Sequence, residues 1–214
     1  MRKKWMLAAT AVATVAGVVI AAKRSQAAEQ AEYTLIEKDG SFELRDYAPR
    51  ILVETVVAGE FEEAGNTAFR RLFDYISGAN RAQEKIEMTA PVTQEDASER
   101  IPMTAPVTQE SGPDGWRVAF LLPSSYTWEA APQPTDDRLS LRRVPAQRMA
   151  AIRFAGTWDG ERFEEHEQKL RELISERGFE AVGPAEYARY NPPMTPWFLR
   201  RNEILIPVGP PSVE

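Results

Sequence analysis

Leu44-Arg45-Asp46-Tyr47-Ala48-Pro49, running through a Val- and Ile-rich stretch to Ala58-Gly59, has a second version in Leu141-Arg142-Arg143-Val144-Pro145-Ala146, running to Ala155-Gly156. Each version leads into a segment of helical spacing whose first apolar anchor is a phenylalanine, Phe61 or Phe163. Further on, Met88-Thr89-Ala90-Pro91 is echoed by Met194-Thr195-Pro196. Three matches in one order predict two strand-strand-helix-strand halves related by a pseudo-two-fold. Either half alone offers one helix and a small sheet, too little to enclose a core, so the halves share one. The predicted class is α+β, a mainly antiparallel sheet with two helices on it, in a single domain.

The remaining elements fall around this repeat. Tyr33-Thr34-Leu35-Ile36 and Ser41-Phe42-Glu43-Leu44-Arg45 flank Lys38-Asp39-Gly40, a hairpin signal. Arg50 to Gly59 reads as a mostly buried strand, and Phe61 to Ser77 as a helix stopped by Gly78. Trp116 to Leu122, Leu139 to Val144 and Arg148 to Ala155 read as strands, with a Pro-rich loop from Pro123 to Asp137. Phe163 to Arg177 reads as the second helix, with Gly178 past its end, and Phe198 to Val208 as a closing strand.

The chain has 214 residues, 43% hydrophobic and 27% charged, enough apolar material for a packed core. Its formal net charge is −6, although the first 28 residues carry Arg2, Lys3, Lys4, Lys23 and Arg24 and no acid. The folded part is therefore more acidic still. It lacks the basic footprint that phosphate backbones demand, so nucleic acid is not an expected partner. Cysteine is absent, which removes disulfides, thiolate metal sites and cysteine nucleophiles together.

Residues 1–28 set a location. Arg2-Lys3-Lys4 precedes an uncharged run from Trp5 to Ala22, then Lys23-Arg24 and the small residues Ser25-Gln26-Ala27-Ala28. Basic, apolar and small segments in that order read as a secretory signal. As a helix the run rises about 27 Å, just short of the hydrocarbon thickness of a bilayer, so an uncleaved anchor is the other reading. Both place the domain, residues 33–208 with a tail at 209–214, on the far side of the membrane: periplasmic, or tethered to the inner membrane. Membrane contact is expected only through this N-terminal segment, and the domain is expected to be a monomer.

A shorter repeat is nearly perfect. Met88-Thr89-Ala90-Pro91-Val92-Thr93-Gln94-Glu95 recurs as Met103-Thr104-Ala105-Pro106-Val107-Thr108-Gln109-Glu110. It reads as a duplicated edge hairpin with a polar tip from Asp96 to Arg100, or as a lid presenting two methionines.

Lys85-Ile86-Glu87-Met88-Thr89-Ala90-Pro91-Val92, the helix end Tyr75-Ile76-Ser77-Gly78-Ala79-Asn80, and Pro192-Pro193-Met194-Thr195-Pro196 followed by Arg200-Arg201-Asn202-Glu203 together resemble the SOUL heme-binding protein family. The resemblance spans Tyr33 to Val208. It implies a distorted β-barrel flanked by two helices with a pseudo-two-fold, and binding of heme or related tetrapyrroles as cofactor or cargo. It also implies likeness in shape to ligand-binding domains of some multidrug-responsive transcription regulators. The family's shallow apolar cleft lies against the first helix, near the Pro-Pro-Met segment. Aligned on the helix end, the resemblance puts that surface at Asn66, Phe69 and Phe73, with Thr195 opposite. A histidine proposed as iron ligand in some members has no counterpart here.

The residues can also be read without the family. Phe61, Ala64, Ala68, Leu72 and Tyr75 form one helical stripe; Gly65, Phe69, Phe73 and Ile76 widen it to about half the circumference. Phe69 and Phe73 stand at its outer edge, either as part of a ligand surface or packed under a neighbouring loop. His166 is the only histidine and so the only candidate for that type of iron ligand, yet its place on the apolar face of the second helix equally suits a hydrogen-bonded core residue. Arg200-Arg201 and Arg70-Arg71 are candidate propionate partners or solvated surface charges. With no cysteine, one histidine among acids, no His-x-x-x-His and no Gly-rich phosphate loop, a catalytic reading is weak. The expected function is heme or tetrapyrrole binding in the cell envelope, for transport, buffering or scavenging. The alternatives are a module of the same fold for another apolar ligand or a protein partner, and an enzyme acting on a tetrapyrrole.

Overall fold

The computed structural model describes residues 28–82 and 98–210. The N-terminal basic-apolar segment and the first copy of the Met-Thr-Ala-Pro-Val-Thr-Gln-Glu repeat lie outside the described residues. Among the described residues no helix is long and apolar enough to cross a membrane.

The chain begins with β1 (Glu29–Gln30), the β2 (Tyr33–Asp39) and β3 (Phe42–Tyr47) hairpin, then β4 (Arg50–Val57) and helix α1 (Phe61–Ile76). Five short elements follow: β5 (Asn80–Arg81), β6 (Thr104–Ala105), β7 (Val107–Gly112), β8 (Gly115–Leu121) and β9 (Gln133–Pro134). The second half runs through β10 (Ser140–Val144), β11 (Gln147–Phe154), helix α2 (Gly160–Glu176), β12 (Glu186–Arg189), a 3-10 turn at Trp197–Leu199 and β13 (Asn202–Pro207). Nine strands form one antiparallel sheet in the order β10-β4-β8-β7-β12-β13-β11-β3-β2. The fold is α+β as expected, but among the described residues the barrel does not close, and β10 and β2 are the sheet's edges.

The sequence echo is a structural repeat. Leu141 pairs with Val53 across β10 and β4, and Leu44 pairs with Ala150 across β3 and β11. These are the same register in the two halves. The halves are nonetheless not separate units. A two-residue connection ordinarily closes a hairpin, yet β3 and β4, joined by Ala48-Pro49, do not pair with each other, and neither do β10 and β11, joined by Pro145-Ala146. Each proline lacks a backbone N–H for ladder pairing. At each corner the chain leaves one half and pairs with the other, so the halves are interleaved. Gly59 and Gly156, matching positions ahead of the two helices, both adopt the positive φ that only glycine takes without strain, 118° and 145°.

The helices cover one face of the sheet. Leu72, Ala68 and Tyr75 of α1 pack on Val53, Val118 and Phe120. Phe163, Leu170 and Ile174 of α2 pack on Leu44, Ile152, Ile204 and Ile206. Each of these large side chains contributes about 1.5–3 kcal/mol by leaving water. Strand alternation sends Leu52, Leu121, Val144, Met149 and Leu205 to the other face. That face also carries buried charge. Arg45 donates to both oxygens of Glu203, at 2.7 and 3.1 Å, and Tyr190 and Arg201 donate to the same carboxylate at 2.8 and 2.9 Å. Glu203 is fully buried. Burial pushes its carboxyl up, but the hydrogen bonds and charge of Arg45, then Arg201 and Tyr190, outweigh this and hold it below the ordinary value.

Three sequence expectations change. The second Met-Thr-Ala-Pro copy is no edge hairpin: its Val107–Glu110 part lies in β7, in the middle of the sheet between β8 and β12. Phe198 does not open a strand, because Trp197–Leu199 makes a 3-10 turn and β13 begins at Asn202. The Pro-rich loop contributes a short strand, β9, paired with β5.

Candidate functional site

A groove of about 380 Å³ runs along α1. Gly65, Asn66 and Phe69 of α1 line one side; Met103 and Ala105 lie at one end; Val107, Gln109 and Val118 form the sheet floor. Trp158 and the stretch from Arg189 to Pro193 line the other side. Three features of the sequence shape it. Gly65 leaves the helix flank bare: a Cβ there would lie 2.8 Å from Gln109 Oε1 and 3.3 Å from the Arg189 guanidinium. Phe69 is half-buried, edge-on to Phe120 at 5.3 Å, and stacks on the exposed Phe73 at 6.0 Å. Pro192 and Pro193 stiffen the opposite lip, and Arg200 braces them by donating to the carbonyl oxygens of Pro193 and Thr195, both at 2.8 Å.

The polar content of the groove is concentrated at Arg189. Its Nη2 donates to Gln109 Oε1 at 2.6 Å, and the Gln109 amide donates to the Phe61 carbonyl oxygen at 2.8 Å. The guanidinium faces the rings of Phe61 at 4.9 Å and Trp158 at 5.6 Å. Its Nε is buried without a hydrogen-bond partner among the described residues. Burial pushes this arginine down to about 10, only partly offset by the charge of Glu62. An apolar groove with a desolvated, under-partnered cation suits an apolar ligand that carries a carboxylate.

The residues singled out from the sequence separate here. Asn66 and Phe69 line the groove, and Phe73 extends the aromatic surface by stacking on Phe69. Thr195 lies two residues beyond Pro193, in a turn closed by its N–H to the Pro192 carbonyl oxygen at 3.0 Å, and is not among the lining residues. His166 is not among them either. Its ring stacks on Phe154 at 3.8 Å, and Nδ1 lies 2.8 Å from the Arg162 carbonyl oxygen. Arg201 is engaged by Glu203 and by the Tyr190 ring at 3.8 Å, and Arg200 lies over Trp158 at 4.2 Å. Arg71 reaches Thr55 at 3.3 Å. Met103 is one of the two methionines that the sequence offered as a lid, whereas Arg189, Gln109 and Trp158 were not read from the sequence; the signal available for Arg189 was its place three residues before Pro192. Among the described residues no group of three or more His, Asp or Glu side chains is placed to hold a metal ion.

The family model for SOUL heme-binding protein matches residues 28–207. The chain belongs to the SOUL heme-binding protein family. It is 30% identical over 170 residues to heme-binding protein 1 of Xenopus tropicalis, covering 78% of this chain and 84% of that one. A shorter stretch of 55 residues is 46% identical to heme-binding protein 2 of Homo sapiens, 25% of this chain and 27% of that one. Among solved structures, the EcmrR C-terminal domain superposes with a TM-score of 0.50 at 12% identity, over 83% of this chain and 98% of that one. A structure described as a hydrolase from Listeria innocua superposes at 0.50 with 10% identity, over 81% and 94%. At such identities these likenesses speak to the fold alone. The family match runs through both the α1 flank and the Pro192-Pro193 lip of the groove.

Proposed function

We propose that this SOUL-family chain binds heme or a related tetrapyrrole in the α1 groove, and acts by carrying, buffering or scavenging it in the cell envelope rather than by catalysis. The observation that carries the reading is the pairing of an apolar, aromatic-edged groove with the part-buried Arg189 at its side, whose Nε is buried and under-partnered. Phe69, Phe73, Trp158 and the Pro192-Pro193 lip would contact the macrocycle faces and edges, and Arg189 would receive a propionate. Asn66 stands at the groove's rim, with Thr195 just outside it. Bound in this way, the tetrapyrrole is held by area and one ion pair, with no step that requires His166. The basic-apolar segment at residues 1–28 supports export, as a signal or an anchor. Titration of the purified chain with hemin, followed in the Soret band, tests the reading.

A second reading, a protein-interaction module on the same fold, draws on the exposed Met194, Trp197, Phe198 and Leu199 beside the groove. The same titration separates the two, since a pure interaction module gives no saturable shift.

A further inference from the structure

A second hollow, of about 530 Å³, shares no lining residue with the α1 groove. It sits where the two proline corners of the repeat meet the loop after β8. Its walls are largely apolar: Pro123, Tyr126 and Trp128 from that loop, Ile51 from β4 and Pro145 from the second corner. The volume lies within the usual range for small-molecule sites.

Arg50 lines both this cleft and a small inner cavity bounded by Tyr47, Glu186 and Tyr190. Its side chain is only 9% exposed. Nη1 is buried and has no hydrogen-bond partner among the described residues. Nη2 reaches Met149 Sδ at 3.8 Å and Glu186 Oε1 at 3.9 Å, both beyond the length of a strong charge-assisted bond. The acids around the cleft do not compensate this cation. Glu29, Glu32 and Glu129 are exposed at the rim; Glu29 accepts from the Ser124 N–H at 2.7 Å, and Glu129 is paired with Arg143 at 3.0 Å.

The internal repeat shows that the fold does not require a buried cation at this corner. The position equivalent to Arg50 in the second half is Gln147, and its Nε2 contacts the same Met149 sulfur at 3.3 Å. The hollow at that corner is lined by Asp46 and Arg148, which close on each other through two bonds of 2.7 Å. One corner is thus internally satisfied, and the other keeps a desolvated guanidinium, over the Tyr47 ring at 5.1 Å, at the wall shared by the apolar cleft and the inner cavity.

We propose that this cleft is a second binding site, separate from the tetrapyrrole groove, for a small amphipathic carboxylate. The carboxylate bonds to Arg50, and the apolar body lies against Trp128, Tyr126 and the Pro145 corner. Calorimetric titration of the full chain with decanoate, below its micelle concentration, tests this. Decanoate is expected to bind saturably, and Arg50→Gln, which installs the residue of the matching corner, is expected to weaken it about tenfold or more. Decanol should be indifferent to Arg50→Gln, Phe69→Ala should leave decanoate binding intact, and Arg50→Gln should leave the hemin response intact. The proposal is overturned by a wild-type chain that does not bind decanoate saturably, by a folded Arg50→Gln chain that binds it as well as wild type, or by loss of decanoate binding in Phe69→Ala. If Arg50→Gln does not fold, Trp128→Ala decides: reduced decanoate affinity supports the site, and full affinity overturns it.

Discussion

Arg189 and Gln109 meet at 2.6 Å through Nη2 and Oε1, beside the bare flank of α1 at Gly65. Because the Gln109 amide also holds the Phe61 carbonyl oxygen, this contact ties β12, β7 and α1 into one unit at the wall of the groove. The groove's shape and its part-buried cation have a common origin in this contact.

A side chain at position 65 has to enter the groove or displace Gln109 and Arg189. Gly65→Leu is therefore expected to abolish the hemin-induced Soret shift. Gly65→Ala, which offsets the clash with up to about 1 kcal/mol of gained helix propensity, is expected to weaken it while leaving the melting temperature within a few degrees of wild type. Absorbance titrations and thermal melts on the same samples check both.

Arg189 has spare hydrogen-bonding capacity at Nε and is desolvated. A tetrapyrrole diacid should accordingly bind more tightly than its dimethyl ester, by about tenfold. In Arg189→Met the preference should vanish. Equal preference in wild type and variant, measured by competition titration, would remove Arg189 from the site.

His166 stacks on Phe154 and engages the Arg162 carbonyl oxygen within its own helix. His166→Ala is expected to leave the spin-state bands and affinity of the hemin complex unaltered, at a stability cost on the order of 1 kcal/mol for the lost packing. A change in those bands would show an iron contact that this geometry does not provide.

The Arg45–Glu203 pair makes stability depend on pH with a definite sign. Glu203 is held below its ordinary value in the folded chain. Its contribution is fully present above the ordinary carboxylate range near 4.5 and is lost as the pH falls through the lower folded value. Glu203→Gln, which leaves Arg45 buried without its counter-charge, should cost on the order of 3 kcal/mol at pH 7. It should also show a shallower loss of melting temperature between pH 5 and pH 2. Denaturation series across that range test both.

Much of this architecture was legible because it repeats. The Leu44 and Leu141 segments announced the two-fold, and the Phe61, Ala64, Ala68, Leu72, Tyr75 stripe is the buried face of α1, with Phe69 half-buried and Phe73 exposed at its edge as the spacing implied. The interleaving was not legible: two residues between strands ordinarily signal a hairpin, and only the pairing of Leu44 with Ala150 reveals the exchange. β12 is four residues long and lacks a distinct polar-apolar alternation, so its own pattern did not mark Arg189 as inward-facing, and only its nearness to the Pro-Pro segment pointed to it. Trp197–Leu199 looked like a strand because the run is aromatic and apolar, whereas Pro196 and the Arg200 brace fold it outward, leaving all three side chains exposed. In the Arg200-Arg201-Asn202-Glu203 motif, Arg201 and Glu203 serve the buried charge network and Arg200 supports the groove lip, a division that adjacency in sequence conceals.

The proposed function requires the α1 groove to hold a tetrapyrrole through apolar contact. A hemin titration of wild type, the Phe69→Ala, Phe73→Ala double variant and His166→Ala tests it most directly. A saturable Soret shift is expected in wild type, the same shift in His166→Ala, and a shift weakened about tenfold or more in the double variant. No saturable shift in wild type, or an unaltered shift in the double variant, would contradict it.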